Sequence, residues 1–126
     1  MACKRSLTWR QQLGIYYENA ALRYLQARGL ALVCSNYRCK FGEIDLVMLA
    51  AATLVFVEVR YRRSSSHGTA AATVDSRKQA RLRLAARKFL FSHPQFRQHI
   101  CRFDVLAIEA ATAGKPVIDW IPNAFY

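Results

Sequence analysis

Two β-rich stretches, each largely apolar and each carrying a carboxylate, constrain the fold of this chain more than any other feature. Residues 41–47 read FGEIDLV, and residues 54–60 read LVFVEVR. Carboxylates are rare inside such stretches unless a partner compensates their charge. A bound cation compensates two neighbouring acids at once, so the pattern indicates metal-dependent chemistry on phosphate.

The segment between the two stretches, residues 50–53, is the expected point of chain reversal. A hairpin centred on this segment pairs residues whose numbers sum to 103, so that Asp45 lies opposite Glu58. Glu43 then lies opposite Arg60. Opposed Cβ atoms are roughly 4.5–5.5 Å apart, and the period of two puts all four side chains on one face. The turn is Ala-Ala, a poor two-residue turn, and a longer loop is the alternative.

The charge of the chain favours a polyanionic partner. Its 126 residues, 53% of them apolar, predict a single domain over residues 1–126. With 19 Lys and Arg against 8 Asp and Glu, the net charge is +11. Nucleic acid is the leading candidate partner, and an acidic membrane surface is the rival.

The sequence also predicts a cytoplasmic protein that does not span a membrane. The longest apolar run, residues 46–57, has 12 residues and contains the predicted turn. A spanning helix needs about 20 apolar residues. The segment 1–10 lacks the apolar core of a signal peptide. The four cysteines are scattered and are expected to be free thiols: Cys3, Cys34, Cys39 and Cys101.

Cap residues and helical spacing predict two helices. Thr8 and Gln11 form a capping box, and Gly29 suits the end of the first helix. Asp75 caps a second helix that runs to about Ser92. The predicted buried stripes are Leu13, Tyr17, Ala20 and Tyr24 in the first helix and Leu82, Ala85, Ala86 and Phe89 in the second.

Five strands complete the predicted layout. They cover residues 30–37, 43–49, 53–61, 102–109 and 117–121. Residues 62–72, rich in serine with a glycine, read as a loop. The order α-β-β-β-α-β-β predicts an α/β or α+β arrangement, with helices packed on a mixed sheet.

Four fragments in this order resemble a known superfamily. They are Gly14-x3-Glu18-x2-Ala21, GEIDLV at 42–47, FVEVR at 56–60, and RKQ at 77–79 opening the second helix. Together they resemble the PD-(D/E)XK, or restriction-endonuclease-like, nucleases over Gly14 to about Ile108. The closer match is to the uncharacterised bacterial YraN family, which looks like Holliday junction resolvases. The resemblance implies a mixed β-sheet flanked by helices, a metal-dependent endonuclease acting on DNA, branched DNA included, and a symmetric homodimer.

The resemblance also implies roles for individual residues. Asp45 matches the metal-binding aspartate of the second strand, and Glu58 matches the acid of the E-x-K element. Arg60 stands where that element usually has lysine. Glu18 matches the acid of the first helix, and Gln79 matches a glutamine found in several branches. The implied metal ligands for Mg²⁺ or Mn²⁺ are Glu18, Asp45 and Glu58, and the implied catalytic residues are Asp45, Glu58, Arg60 and Gln79.

The same residue types suit metal-dependent chemistry on phosphate even when the family resemblance is set aside. Carboxylates are hard oxygen ligands for Mg²⁺, and Gly14, four residues before Glu18, leaves room for an ion or phosphate. Arg60 cannot act as a base because arginine stays protonated, yet it can stabilise phosphoryl charge.

Each of these assignments has a structural alternative. Asp45, Glu58 and Arg60 can instead form a cross-strand ionic cluster. Glu43 is expected to be a salt-bridge partner of Arg60 or Arg62. Glu18 can be an ordinary surface residue, and Gln79 can form a simple hydrogen bond at the helix start.

The basic residues fall into two blocks that predict a phosphate-binding surface. The second helix has six bases and no acid between Arg77 and Lys88. No base-reading motif is present, so recognition of shape or strand junctions is expected. The predicted nucleic-acid-binding residues are Arg62, Arg63, Arg77, Lys78, Arg81 and Lys88.

Three functions compete at this point. The first is a metal-dependent phosphodiesterase acting on DNA. The second is a nucleic-acid-binding protein that keeps the nuclease fold without catalysis, and Arg60 favours it. The third is a basic module that binds a protein or an acidic membrane, although no amphipathic helix with bulky anchors supports the membrane version.

Overall fold

The computed structural model describes residues 6–62, 74–109, 114 and 116–126. Two helices flank a five-stranded sheet in the predicted order α-β-β-β-α-β-β. A short 3₁₀ turn, Pro94–Phe96, precedes the fourth strand. The elements are α1 Trp9–Ala27, β1 Ala31–Cys39, β2 Gly42–Ala50, β3 Thr53–Arg62, α2 Ser76–Ser92, β4 Ile100–Glu109 and β5 Val117–Phe125.

The sheet is mixed, as predicted, and its strands lie in sequence order from β1 to β5. β3 and β4 are parallel, and the other neighbours are antiparallel. A parallel pair needs a crossover connection, and α2 lies in that connection. The sheet therefore has a parallel centre between two antiparallel margins.

The predicted hairpin register is confirmed between β2 and β3. The paired residues run from Leu46–Val57 to Ala50–Thr53, and each pair sums to 103. The reversal is a two-residue turn in which Ala51 has a φ of 53°. A left-handed conformation costs a non-glycine residue roughly 1–2 kcal/mol, which the ladder on both sides of the turn offsets.

The helix ends follow the predicted caps. Thr8 and Gln11 form a reciprocal capping box at the start of α1. Gly29, with a φ of 93°, follows the end of that helix. The Asp75 side chain accepts a hydrogen bond from the Lys78 amide at 2.8 Å, so it caps α2.

Two hydrophobic clusters cover the two faces of the sheet. On one face α2 packs with Leu82, Ala85, Ala86 and Phe89, the predicted stripe. On the other face α1 packs with Tyr17, Ala21 and Leu25. Of the stripe predicted for α1, Tyr17 is buried, whereas Leu13, Ala20 and Tyr24 are only partly buried at the border of the cluster. The fully buried positions that follow Tyr17 are Ala21 and Leu25, each one residue later than predicted.

The last strand is longer than predicted. β5 continues beyond Ile121 to Phe125, although it contains Pro122. Proline is tolerated there because β5 is an edge strand. The pairing of β4 with β5 shifts between Phe103 and Val105, and Asn123 has a φ of 53°.

A buried carboxylate ties this edge strand to β4. Asp104 is 1% exposed and accepts hydrogen bonds from Trp120 Nε1 and the Asn123 amide, each at 2.9 Å. The Arg102 guanidinium donates to both of its oxygens, at 3.0 and 3.2 Å. These contacts give Asp104 a structural role.

Two expectations drawn from composition can be compared with the described residues. None of the helices described is both long and apolar enough to cross a bilayer. Within the same part of the chain, Cys34, Cys39 and Cys101 are free thiols. Cys3 and most of the predicted loop, including Arg63, lie outside the described residues, and Arg62 belongs to β3 rather than to the loop.

Candidate functional site

The site forms where β2 and β3 part. Their ladder ends at Leu46–Val57, one pair before Asp45 would meet Glu58. The Asp45 Oδ2 atom accepts a hydrogen bond from the Val59 amide at 2.8 Å. A side chain thus takes the place of a backbone acceptor, and the two strands stay connected while a gap opens between them.

The parting follows from an irregularity in β2. Ile44 and Val47 both pack in the cluster under α2, whereas Leu46 packs under α1. Since strand side chains alternate between faces, the alternation changes phase at Asp45. In β1, Asn36 lies at the same level between paired residues and has a φ of 54°.

Three carboxylates converge beside this gap. One oxygen each from Glu18, Glu43 and Asp45 lies within 4.8 Å of the other two. In the described part of the chain Glu58 is not a member of this group. Glu18 comes from α1, and a Cβ placed on Gly14 would meet no atom within 4 Å, so the predicted space beside Glu18 is present.

A cavity of about 590 Å³ lies beside two of these carboxylates, Glu18 and Glu43. Gly14 and Glu18 of α1 line one side, and Asn36, Arg38 and Glu43 line the other. The cavity is large enough for a hydrated ion and a phosphodiester group. An anion that enters it meets the carboxylates of Glu18 and Glu43 as well as the guanidinium of Arg38, and a cation bound by the acids would favour its entry.

Glu58 approaches the gap from the side of α2. Its side chain is 6% exposed, and its Oε1 atom lies 3.4 Å from Lys78 Nζ and 3.7 Å from Arg60 Nη1. Asp45 lies between the two groups: its oxygen is close to those of Glu18 and Glu43, and the charge of Glu58 is the largest charge that raises its pKa. Glu58 itself meets Lys78 of α2.

The electrostatics of the site disfavour ionised carboxylates. Burial, and next the charge of Glu58, raise the pKa of Asp45 to about 7, although the Val59 amide opposes the shift. Burial also raises the pKa of Glu18, against a hydrogen bond from Asn36. The pKa of Glu58 is raised because burial outweighs Lys78 and Arg60. The site therefore gains from binding protons or a metal cation.

This shift predicts how the stability of the metal-free protein depends on pH. A carboxyl whose pKa is raised on folding favours the folded state at low pH, and that contribution is lost as pH rises through the folded pKa. For Asp45 the window runs from its ordinary value of 3.8 to about 7. We expect the melting temperature, measured in a chelator from pH 4 to 8, to contain a falling component.

The control for this pH prediction is Asp45→Asn, which keeps an acceptor for the Val59 amide but cannot ionise. The variant should lose the part of the falling component that Asp45 contributes, and it should melt above the wild type at pH 8. Identical pH profiles for the two proteins would contradict the prediction.

Two other predicted residues, Gln79 and Glu43, contact partners within the fold. The Gln79 side-chain amide donates to the Val74 carbonyl at 2.9 Å, which is the simple hydrogen bond at the helix start. Glu43 forms an ion pair with Arg38 at 3.6 Å across the β1–β2 turn. Sequence reasoning named neither Arg38 nor Asn36, because the β1 segment carries no pattern that marks a site.

The bases of α2 separate into two groups. Arg77, Arg81 and Lys88 are exposed. Arg83 is half-buried and donates to the Tyr126 carbonyl at 2.7 Å. Lys78 is half-buried against Glu58. The sequence grouped Lys78 with the exposed bases, although its position in the first turn, next to the inward-pointing Gln79, could have indicated its contact with the sheet.

Comparisons with known proteins match most of the chain. The model of a family described as "Uncharacterised protein family UPF0102" matches residues 17–108. A UPF0102 protein of Pseudomonas putida (strain GB-1) is 53% identical over 109 residues, 86% of this chain and 88% of the relative. Relatives from Pseudomonas fluorescens and Pseudomonas savastanoi are 48% and 51% identical, over 91% and 92% of this chain and 94% of each relative.

Proposed function

The chain belongs to the UPF0102 family, and we propose that it is a divalent-metal-dependent phosphodiesterase that cleaves DNA internally. One observation carries the proposal. The carboxylates of Glu18, Glu43 and Asp45 meet where β2 and β3 part. The neighbouring Glu58 forms ion pairs with Arg60 and Lys78. Acids that can hold a metal, next to bases that can hold phosphate, are the groups that phosphodiester hydrolysis needs.

The donor set fits Mg²⁺ or Mn²⁺. Glu18, Glu43 and Asp45 offer only carboxylate oxygens, the ligands that these hard cations prefer. The raised pKa of Asp45 marks a group whose charge lacks compensation. Asp45 and Glu18 would hold the ion, with Glu58 adjacent. When bound, such an ion polarises the phosphate and acidifies a water molecule.

The remaining groups orient and neutralise the phosphate. Arg60 keeps its charge at every accessible pH and can fork onto two phosphate oxygens. Glu58 holds that guanidinium in place. In the hydrolysis a water oxygen bonds to phosphorus and the bond from phosphorus to the leaving oxygen breaks. One water proton ends on the leaving oxygen, and the other passes to solvent.

The resemblance to PD-(D/E)XK nucleases and junction resolvases supports the same activity. Asp45, Glu58 and Glu18 occupy the matching elements, β2, β3 and α1. We extend the proposal to branched DNA as substrate, to a symmetric homodimer and to a cytoplasmic location, all of which rest on that resemblance and on the sequence.

A DNA-binding protein without catalysis is the second candidate. Specific contacts favour it, because Asp45 already accepts a hydrogen bond and Glu58 already has two cationic partners. A cluster satisfied in this way can serve as structure alone. Under this reading the basic surface would still bind DNA.

That basic surface yields a prediction that both candidates share. Replacing Arg77, Arg81 and Lys88 with alanine should weaken DNA binding and flatten its salt dependence, because each phosphate contact contributes a slope of about −0.9 in log K against log salt. Titrations of labelled duplex DNA at several salt concentrations measure the slope. Arg23→Ala, an exposed base of α1, is the control and should leave the slope unchanged. An unchanged slope in the triple variant would move the binding surface elsewhere.

The activity itself is tested with the wild-type chain. Purified protein is incubated with linear, nicked and branched DNA in Mg²⁺, in Mn²⁺ and in chelator, and its melting temperature is measured with each ion. We expect cleavage only with metal, and a rise in melting temperature that follows mass action. Absence of both effects, with DNA binding retained, would replace this proposal with the non-catalytic candidate.

A further inference from the structure

We propose that Lys78, at the start of α2, supplies the lysine of the catalytic site, in place of a lysine on β3. The inference rests on the proposed function and names one more residue that acts on the substrate. In β3 the position two residues after Glu58 is occupied by Arg60. The ammonium group that reaches the same carboxylate comes from the helix instead, at 3.4 Å from Glu58 Oε1.

The position of Lys78 is fixed by its neighbours. Its backbone amide donates to the Asp75 cap at 2.8 Å. The next residue, Gln79, donates to the carbonyl of Val74 at 2.9 Å, and Val74 is 2% exposed. Two hydrogen bonds and a buried side chain thus anchor the first turn of α2. Groups held in this way lose little freedom on binding substrate, which favours catalysis.

Lys78 also differs from the other bases of α2. Its side chain is 35% exposed, so the ammonium joins the buried Glu58 to the solvent-facing side of the gap. A small cavity beside Glu43 is lined by Lys78 and Arg81. Glu43 belongs to the carboxylate cluster, so Lys78 stands at an opening that one of those acids also lines. Arg77 is exposed.

Lysine and arginine offer different chemistry at one carboxylate oxygen. An ammonium is a compact point charge with three donors, and arginine is a planar fork. With both on Glu58 Oε1, Arg60 can clamp two phosphate oxygens while Lys78 places charge on a single oxygen or on the attacking water. The site then has the lysine that Arg60 by itself does not provide.

The first test compares Lys78→Ala and Lys78→Gln with the wild type at saturating DNA and metal. Both variants should cleave roughly 10²-fold more slowly, the loss typical of removing one charge-stabilising donor. Each should lose no more than one contact, about 0.9, from the salt slope of binding. Lys78→Gln keeps most of the aliphatic stem, so the test survives if Lys78→Ala does not fold. Arg23→Ala is the charge-matched control and should cleave like the wild type.

The second test asks whether a lysine on this oxygen is what matters. Adding Arg60→Lys to Lys78→Ala should restore a measurable part of the rate. A readout independent of activity is a thermal double-mutant cycle, in which Lys78→Ala should lower the melting temperature less in Glu58→Gln than in the wild type.

Several outcomes would overturn the inference. One is a wild-type cleavage rate in both Lys78 variants at saturating DNA, and another is a loss of cleavage rate that a higher DNA concentration restores. The others are a cleavage rate that Arg60→Lys does not restore, and a change in melting temperature on Lys78→Ala that is the same with and without Glu58→Gln. A wild-type protein that cleaves nothing overturns the proposed function and this inference together. A wild type that cleaves alongside active Lys78 variants overturns the inference alone.

Discussion

Asp45→Asn is expected to abolish DNA cleavage and the metal-dependent rise in melting temperature together, while DNA binding stays close to that of the wild type. The substitution removes one charge from the carboxylate cluster but keeps an oxygen for the Val59 amide. The fold should therefore persist. The loss in rate should be roughly 10³-fold or more, because charge stabilisation at the reacting phosphate is usually the largest catalytic contribution.

The measurements are single-turnover cleavage, melting with and without Mn²⁺, and duplex binding in chelator. Asp119→Asn is the matched control, since Asp119 is exposed on the edge strand β5. It should behave as the wild type in all three. A variant of Asp45 that keeps the metal-induced stabilisation would show that the ion is held elsewhere.

Asp104→Ala is expected to destabilise the fold by about 3 kcal/mol, the largest effect on stability that we predict for a single side chain. The substitution leaves the Trp120 indole, the Asn123 amide and the Arg102 guanidinium without their shared acceptor. Breaking a buried, hydrogen-bonded charge pair from one side typically costs about 3–5 kcal/mol. Arg102 is 26% exposed, so solvent reduces the penalty toward the lower end.

Urea unfolding of the metal-free protein measures this difference. Asp119→Ala removes an exposed aspartate from the partner strand β5 and should change the free energy of unfolding by less than about 0.5 kcal/mol. Equal effects from the two alanine substitutions would contradict the role given to Asp104.

The local patterns predicted the fold well because they are short-range. The period of two in residues 41–47 and 54–60 determined the hairpin register, and the cap at Asp75 determined the start of α2. Both signals are complete within a few residues. The end of β5 was missed because Pro122 usually stops a strand, and its tolerance depends on an edge position that only the assembled sheet defines.

The sequence indicated some of the acids that lie near one another, but not their grouping. Asp45 lies close enough to Glu58 and Glu18 for their charges to raise its pKa, whereas the third carboxylate of the cluster is Glu43, which was expected to be a salt-bridge partner. The phase change at Asp45 could not be foreseen, since it depends on a bond to Val59 across the gap and on the left-handed Asn36 of another strand. The ion pair from Lys78 to Glu58 joins residues 20 positions apart in sequence, and no local period encodes such a contact.

The two hydrophobic clusters lie on opposite faces of the sheet, and each holds one helix. Residues so separated usually contribute additively to stability, so α1 and α2 could loosen independently. Glu43 of β2 lines both the cavity beside Glu18 of α1 and the small cavity beside Lys78 of α2. A ligand that contacts both Glu18 and Lys78 would couple the two layers and make their unfolding more cooperative. A bound ligand would then narrow the thermal unfolding transition of the whole molecule.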